Sequence, residues 1–325
     1  WDVWGPISLR GSYGTNYQAP PITLKPGEVN NGVANYTRAG GLWLPATQIT
    51  RSDVVPATAT AWNAGVIWQS EGFAADHSFR FIVDYFSIET ENEFRQLATY
   101  NQIFDAVWNA TDSYTPCNHP LAGRVAYQAT STSPGGVCSA TTVPTDLGRV
   151  TTEYGNGPGI ITNGFDYQTD YSMPIGPGDF MVGVIATQLK AIEDTAVTID
   201  GFQIFASRNR LGNLNQSGAA LAAPEWKVNA FATYSFDNHT FRFGADWASA
   251  VYDDRVGIQY GENGEDPIYF DFVWLWDFSD TLRLTASIDN ITDRDPPKHQ
   301  MEPGYDPRQG SALGRTFEIG IKKVF

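Results

Sequence analysis

With 325 residues, 42% of them hydrophobic and only 18% charged, the chain is long enough for one large domain or two small ones and too apolar for a disordered tail. Its 31 Gly, 19 Pro and 14% aromatic content, including 10 Trp beside 3 Met, belong to a turn-rich β-protein and exclude a bundle of long helices. A formal charge of -15 with 21 Lys+Arg excludes a surface of clustered cations, and with it nucleic acid as a partner.

Period-2 alternation predicts ten strands, near residues 4–14, 62–70, 77–91, 147–172, 179–191, 224–236, 239–252, 268–278, 281–290 and 314–325. In Thr281 to Asn290, for example, Leu282, Leu284, Ala286 and Ile288 face one way, and Arg283, Thr285, Ser287 and Asp289 the other. No stretch approaches the ~20 consecutive apolar residues of a membrane-spanning helix. A membrane can also be crossed by strands.

The connections between these strands are more informative than the strands. Counted from the expected bounds, long and short connections strictly alternate. Asp237-Asn238, Ser279-Asp280 and the stretch from Met173 to Gly178 are tight turns at one end, so every long loop falls at the other. A soluble sandwich has no reason to sort its loops this way. A transmembrane β-barrel does, with short periplasmic turns and long extracellular loops. The apolar faces agree: Trp226, Val228, Ala230, Ala232, Tyr234 and Phe236 place aromatics at both ends of a strand and small residues between. Phe270, Phe272, Trp274, Trp276 and Phe278 make a row that requires a cover of protein or lipid.

Chemistry-bearing motifs are few. Cys117 and Cys138 lie in one Pro/Gly/Ser/Thr-rich stretch that suits an oxidised loop staple, worth about 3 kcal/mol by restricting the unfolded loop. Cys117-x-His119 with Cys138 lacks a fourth ligand at zinc-like spacing, so no metal site is expected there. Asp253, Asp254, Glu262, Glu265 and Asp266 form an acidic loop whose expected state is solvated charge, with a bound divalent cation as the competing expectation. No nucleophile motif, zinc-protease motif or phosphate loop is present, so the chain is not expected to be an enzyme or to carry a cofactor.

Several segments together resemble the TonB-dependent outer-membrane receptors. Leu9-Arg10-Gly11-Ser12-Tyr13-Gly14 running to Ala19-Pro20 resembles a mid-barrel strand of that family. Asp289-Asn290-Ile291-Thr292-Asp293 to Pro296-Pro297 resembles its penultimate-strand block, and Gly314-Arg315-Thr316-Phe317 its closing strand. Thr162 to Asp166 and Pro224-Glu225-Trp226-Lys227 resemble two of its strand starts. Asn16-Tyr17-Gln18 departs from the family's usual Gly-Phe-Arg-like run, and Lys323 stands where an aromatic is common.

The resemblance implies an all-β, antiparallel transmembrane barrel. Residues 1–325 would be about ten C-terminal strands of a barrel of about 22, with the plug domain and TonB box absent, so the chain is expected to be a fragment. It implies location in the bacterial outer membrane and energised uptake of a large scarce solute: a siderophore, cobalamin or an oligosaccharide. The implied partners are that ligand, the lipid bilayer, the TonB complex through a missing N-terminal region, and the outer-membrane assembly machinery. That machinery would read the aromatic strand end, here Phe317 and Phe325. Ligand contacts are expected from the loops 15–61, 92–146 and 192–223, with Tyr100, Trp108, Tyr114 and Tyr127 as stacking surfaces; loop-on-loop packing is the competing expectation. A passive porin-like channel and a soluble secreted carbohydrate-binding β-sandwich are the alternative functions.

Overall fold

A computed structural model describes residues 1–22, 25–71, 76–109, 113–214, 223–253, 258–301 and 303–324. Ten long strands run antiparallel in chain order: β1 (Ile7–Gln18), β2 (Ala57–Glu71), β3 (Ser78–Glu91), β4 (Ile160–Ile175) and β5 (Gly178–Asp194), then β6 (Trp226–Phe236), β7 (His239–Ala248), β8 (Ile268–Ser279), β9 (Leu282–Asp289) and β10 (Thr316–Lys323). Two short strands, Asp2–Trp4 on β1 and Arg208–Asn209 on β5, complete a 12-stranded sheet. Among the described residues nothing pairs β10 back to the β1 edge, so the sheet is an open arc of a barrel.

Each long strand pairs with its neighbours in sequence, and connections therefore alternate between two rims. The short connections that follow Glu71, Ile175, Phe236 and Ser279 leave from one rim. The long connections 19–56, 92–159, 195–225, 249–267 and 290–315 all leave from the other. The expected one-rim segregation of loops is what the chain adopts.

Register carries the apolar residues onto a single face across the arc. One row reads Phe79, Tyr171, Val182, Ala232, Phe243, Phe272, Ile288 and Phe317 from strand to strand. Near the short-turn rim His239 stacks on Trp274 and Trp276, at 5.9 and 5.5 Å between centroids. Toward the long-loop rim Tyr167 stacks on Trp226 at 5.8 Å. Ala230, Ala232 and Ala245 lie between these belts. The face is open, with Phe243 46% and Phe317 70% exposed. This is a lipid-facing band with aromatic girdles, and the covered core of a sandwich is ruled out.

The opposite face is polar. Arg10 pairs with Asp84 across Gly65, where a Cβ would run into the Asp84 carboxylate. Arg80 holds Asp170 at 2.6 Å, Thr187 donates to Asp166 at 2.6 Å and Asn229 donates to Asp246 at 2.6 Å. Gly183 leaves room for the Phe231 ring, and the Arg242 guanidinium lies 4.0 Å from that ring's centroid. Each charge on this wall that reaches a partner does so across a strand, as a water-lined lumen permits.

Four expected bounds are corrected, the second strand among them, which runs from Ala57 to Glu71 instead of 62–70. The strand expected over 147–172 is two elements: Leu147–Asn156 joins a separate sheet, and β4 begins at Ile160. Pro158 between them has no N–H for a ladder, and a Cβ at Gly159 would collide with the Thr90 carbonyl. The first strand runs from Ile7 to Gln18 instead of 4–14, because Thr15 to Gln18 find partners in Ala57 to Thr60. The strand expected to reach 252 stops at Ala248, beyond which Ala250 gives its N–H to the Asp266 carboxylate.

In the membrane-inserted receptor, Ala232→Arg on the outward face is expected to cost about 2–4 kcal/mol of folding stability in urea titrations from phospholipid vesicles. Thr285→Arg on the inward face should change it by under about 1 kcal/mol. Equal costs would show that the outward face does not meet hydrocarbon.

Candidate functional site at the long-loop rim

Among the described residues, the extensive hydrophobic core lies above the arc, in the long loops. Val29–Tyr36, Leu42–Thr50, Leu147–Asn156 and Phe94–Gln96 pair in that order, with Val125–Tyr127 added to Leu147–Asn156. A helix, α1 (Tyr100–Val107), starts at a capping box in which the Thr99 hydroxyl accepts from the Gln102 N–H and the Gln102 side chain accepts from the Thr99 N–H. It buries Ile103, Phe104 and Val107 against Tyr36, Leu121, Leu147 and Val150. Val197 and Ile199, from the connection 195–225, close the same core.

Polar networks tie the three loops into one platform. Arg124 donates to Asp200 at 2.5 and 2.8 Å and to Glu153 at 3.0 Å. Arg51 approaches the same Glu153 at 3.8 Å and pairs with Asp53 at 2.6 Å. Arg124 thereby holds the Asp200 carboxyl below its ordinary value. Asn156 accepts from the Val55 N–H at 2.7 Å and donates to the Val55 and Asn92 carbonyls, pinning two loops at their base.

The hydroxyl-rich turn 128–146 wraps one carboxylate. Asp146 is buried and accepts from Thr130, Thr132, Ser133 and the Val143 N–H at 2.7–3.0 Å. Burial works against its charge, and donation from Thr132, the Val143 N–H, Thr130 and Ser133 outweighs burial and holds the carboxyl at about 2. Cys117 and Cys138 are bonded, tying this turn to the segment that precedes it with 5.5 Å between their Cα atoms.

The four aromatic candidates part company here. Trp108 meets Phe104 and Tyr127 edge to face, at 6.3 and 6.4 Å. Burial pushes the Tyr127 phenol up from its ordinary value, and burial also raises that of Tyr100, which packs on the core. Tyr114 is 43% exposed, its ring edge on His119 and Phe202 at 5.3 and 6.3 Å. His119 is buried, its Nδ1 accepting from the Leu121 N–H at 3.1 Å. Phe317 stands on the outward face of β10; Phe325 lies outside the described residues.

In the acidic loop, Glu262 accepts from Tyr252 at 2.9 Å, Asp266 from Ala250 and Glu265 pairs with Arg294 at 3.7 Å. Asp254 lies outside the described residues, and among those described no group of three or more His, Cys, Asp or Glu is placed to hold a metal ion. Below the platform the lumen wall carries two hollows. One of about 430 Å³ lies between β5–β8 and residues 308–310, with Lys227, Asp246 and Tyr269 in its lining. The other, about 520 Å³, lies over Arg10, Asp84 and Asp166.

Sequence reasoning missed Arg124, Glu153, Asp200 and Asp146. The first three come from separate elements and have no local spacing to reveal them. Asp146 had a faint signal in the run of Ser and Thr before it.

An arc with a lipid-facing band, a polar inner wall and a packed platform of loops on one rim defines the wall of an outer-membrane barrel receptor. The chain matches the profile described as TonB dependent receptor-like, beta-barrel over residues 1–291, and it belongs to that family, whose members reside in the bacterial outer membrane. No curated protein matches it in sequence. Among solved structures, a mutant of the ferric enterobactin receptor PfeA from Pseudomonas aeruginosa superposes with a TM-score of 0.59 at 14% identity, over 100% of this chain and 39% of that one. The siderophore receptor PirA from Acinetobacter baumannii gives 0.56 at 13% identity, over 98% and 39%. The hemophore receptor HasR from Serratia marcescens, solved with its hemophore HasA and heme, gives 0.54 at 16% identity, over 98% and 37%. The chain thus spans well under half the length of these receptors.

Because Asp146 titrates at about 2 against an ordinary 3.8, its contribution to the platform is complete above about pH 4 and is lost as pH falls through about 2. The protection of residues 128–146 against hydrogen exchange, referred to the intrinsic rate at each pH, should fall between pH 4 and pH 2 in the wild type. In Asp146→Asn that protection should be low already at pH 6. A turn as protected in the variant as in the wild type at pH 6 would remove Asp146 from this role.

Proposed function

We propose that residues 1–325 are the C-terminal portion of the barrel of a TonB-energised importer, and that its cargo is a large, scarce solute of the ferric siderophore or heme class. The observation that carries this reading is the folded loop platform standing over a polar lumen wall, on a chain whose solved neighbours are receptors for a ferric siderophore and for a hemophore. A loop that only sheds water needs no core of its own. One that must present a ligand-recognising surface does, since ordering loops at the moment of binding costs affinity.

The physical logic of the remaining parts follows from barrel width. A lumen of about 22 strands leaks unless it is plugged, and moving a plug requires work supplied from outside the barrel. We assign that work to the TonB complex acting through an N-terminal region outside this chain, and insertion to the outer-membrane assembly machinery reading the final strand at Phe317 and Phe325. On the platform, Tyr114 is the aromatic we assign to ligand contact, being exposed where Trp108 and Tyr127 are packed.

In iron-starved cells, uptake of radioiron-labelled ferric enterobactin or of heme should depend on the receptor and stop when a protonophore collapses the proton gradient. Uptake that continues at the same rate in the presence of protonophore would replace this reading with a passive channel. Tyr114→Ala is expected to weaken binding of the imported ligand by about 1 kcal/mol, roughly fivefold in Kd. An unchanged Kd by titration calorimetry would take Tyr114 out of the site.

A further inference from the structure

The platform sheet has an edge that the described residues leave open. Among them, Val29–Tyr36 pairs as a strand only with Leu42–Thr50; the Asn35 carbonyl accepts from the Asn101 side-chain amide at 2.8 Å, and from Val29 to Ala34 the other side is left without a strand partner. Proteins protect such edges with charge, proline or a bulge, and this one has none: its residues are Val29, Asn30, Asn31, Gly32, Val33, Ala34, Asn35 and Tyr36, in unbroken register. The outward face beside the edge is apolar as well. Val33 is 64% and Trp43 67% exposed, with Pro45 directly across from Val33.

The direction of this edge identifies what covers it. In the platform sheet the order is 29–36, 42–50, 147–156, 94–96, and those segments are rooted on β1, β2, β4 and β3. The open platform edge therefore faces away from β3 and β4, toward the same side as the open edge of the arc at β1. Both edges look toward the barrel strands that the solved receptors have and this chain does not, the chain covering 39% of PfeA's length.

We propose that the Val29–Tyr36 edge is a strand-addition site occupied by an extended segment of a rim loop from the remaining strands of the same receptor, with an apolar side chain of that segment seated on Val33 and Trp43. Backbone pairing supplies the register and the Val33–Trp43 surface the selectivity, as in other strand additions. The platform and the arc would then be continued by the same neighbour.

The test uses the intact receptor in outer-membrane vesicles. Single added cysteines at Val33→Cys and Val29→Cys are labelled with a membrane-impermeant maleimide and compared with Leu313→Cys, an 80% exposed site in the connection 290–315. Both edge positions are expected to react about tenfold or more slowly than Leu313→Cys. Hydrogen exchange of the unmodified receptor over 29–36 should show protection that is independent of protein concentration. Equal labelling at the three sites with unprotected amides overturns the proposal. Protection lost on dilution would assign the edge to a second copy, and protection arising only on adding an extracellular protein would assign it to that partner; either result overturns it. Accessibility is the readout, so the outcome stands apart from the transport reading.

Discussion

Every backbone N–H and C=O that enters hydrocarbon must find a partner within the protein, and this requirement governs the whole molecule. Within the arc the strands meet it by pairing each with its neighbours in sequence, through ladders as long as the Ile160–Ile175 and Gly178–Asp194 pair, and the two open edges of the arc are where it is still unmet. Antiparallel pairing of consecutive strands then forces their connections to alternate between rims. Short turns on one side and all long loops on the other are a geometrical consequence of satisfying hydrogen bonds in a solvent that offers none.

The same constraint explains where the apolar residues lie. A water-soluble β-protein places its aromatic side chains in an interior core; here the strands carry theirs on the outside. Phe243, Phe272 and Phe317 share an outward row, while Arg80, Asp170 and Asp246 face in. Where two inward side chains meet over a third strand, that strand must offer something small, which is the service of Gly65 under the Arg10–Asp84 pair. The buried hydrophobic core is displaced to the loops, where water surrounds the chain and the ordinary hydrophobic effect returns. A bonded Cys117–Cys138 pair and a fully satisfied Asp146 hold the least regular part of that core in one conformation.

Much of the arc is legible in the amino-acid sequence. Alternation locates all ten strands because strict two-residue periodicity is required when one face meets lipid and the other water, as Leu282, Leu284, Ala286 and Ile288 illustrate. It fails where both faces are partly covered. Leu147–Asn156 carries no clean alternation, its buried Leu147 and Val150 standing three residues apart, and only its parallel pairing with Leu42–Thr50 assigns it to the platform. Of the four aromatic candidates, sequence offers no way to separate Tyr114 from Trp108 and Tyr127, since exposure depends on what other loops bring against a ring.

What the sequence determined by itself is the number of long strands in the arc, the one-rim sorting of loops and the family, because hydrogen-bond satisfaction in lipid writes a short-range pattern that survives at about the 14% identity shared with solved receptors. What only the tertiary structure decided is the platform. Arg51, Arg124, Glu153 and Asp200 come from three separate connections, and their meeting depends on how those connections pack. In the membrane the partner of each strand is its neighbour in the chain; above it, packing between distant loops chooses the partner, and no local spacing records that choice.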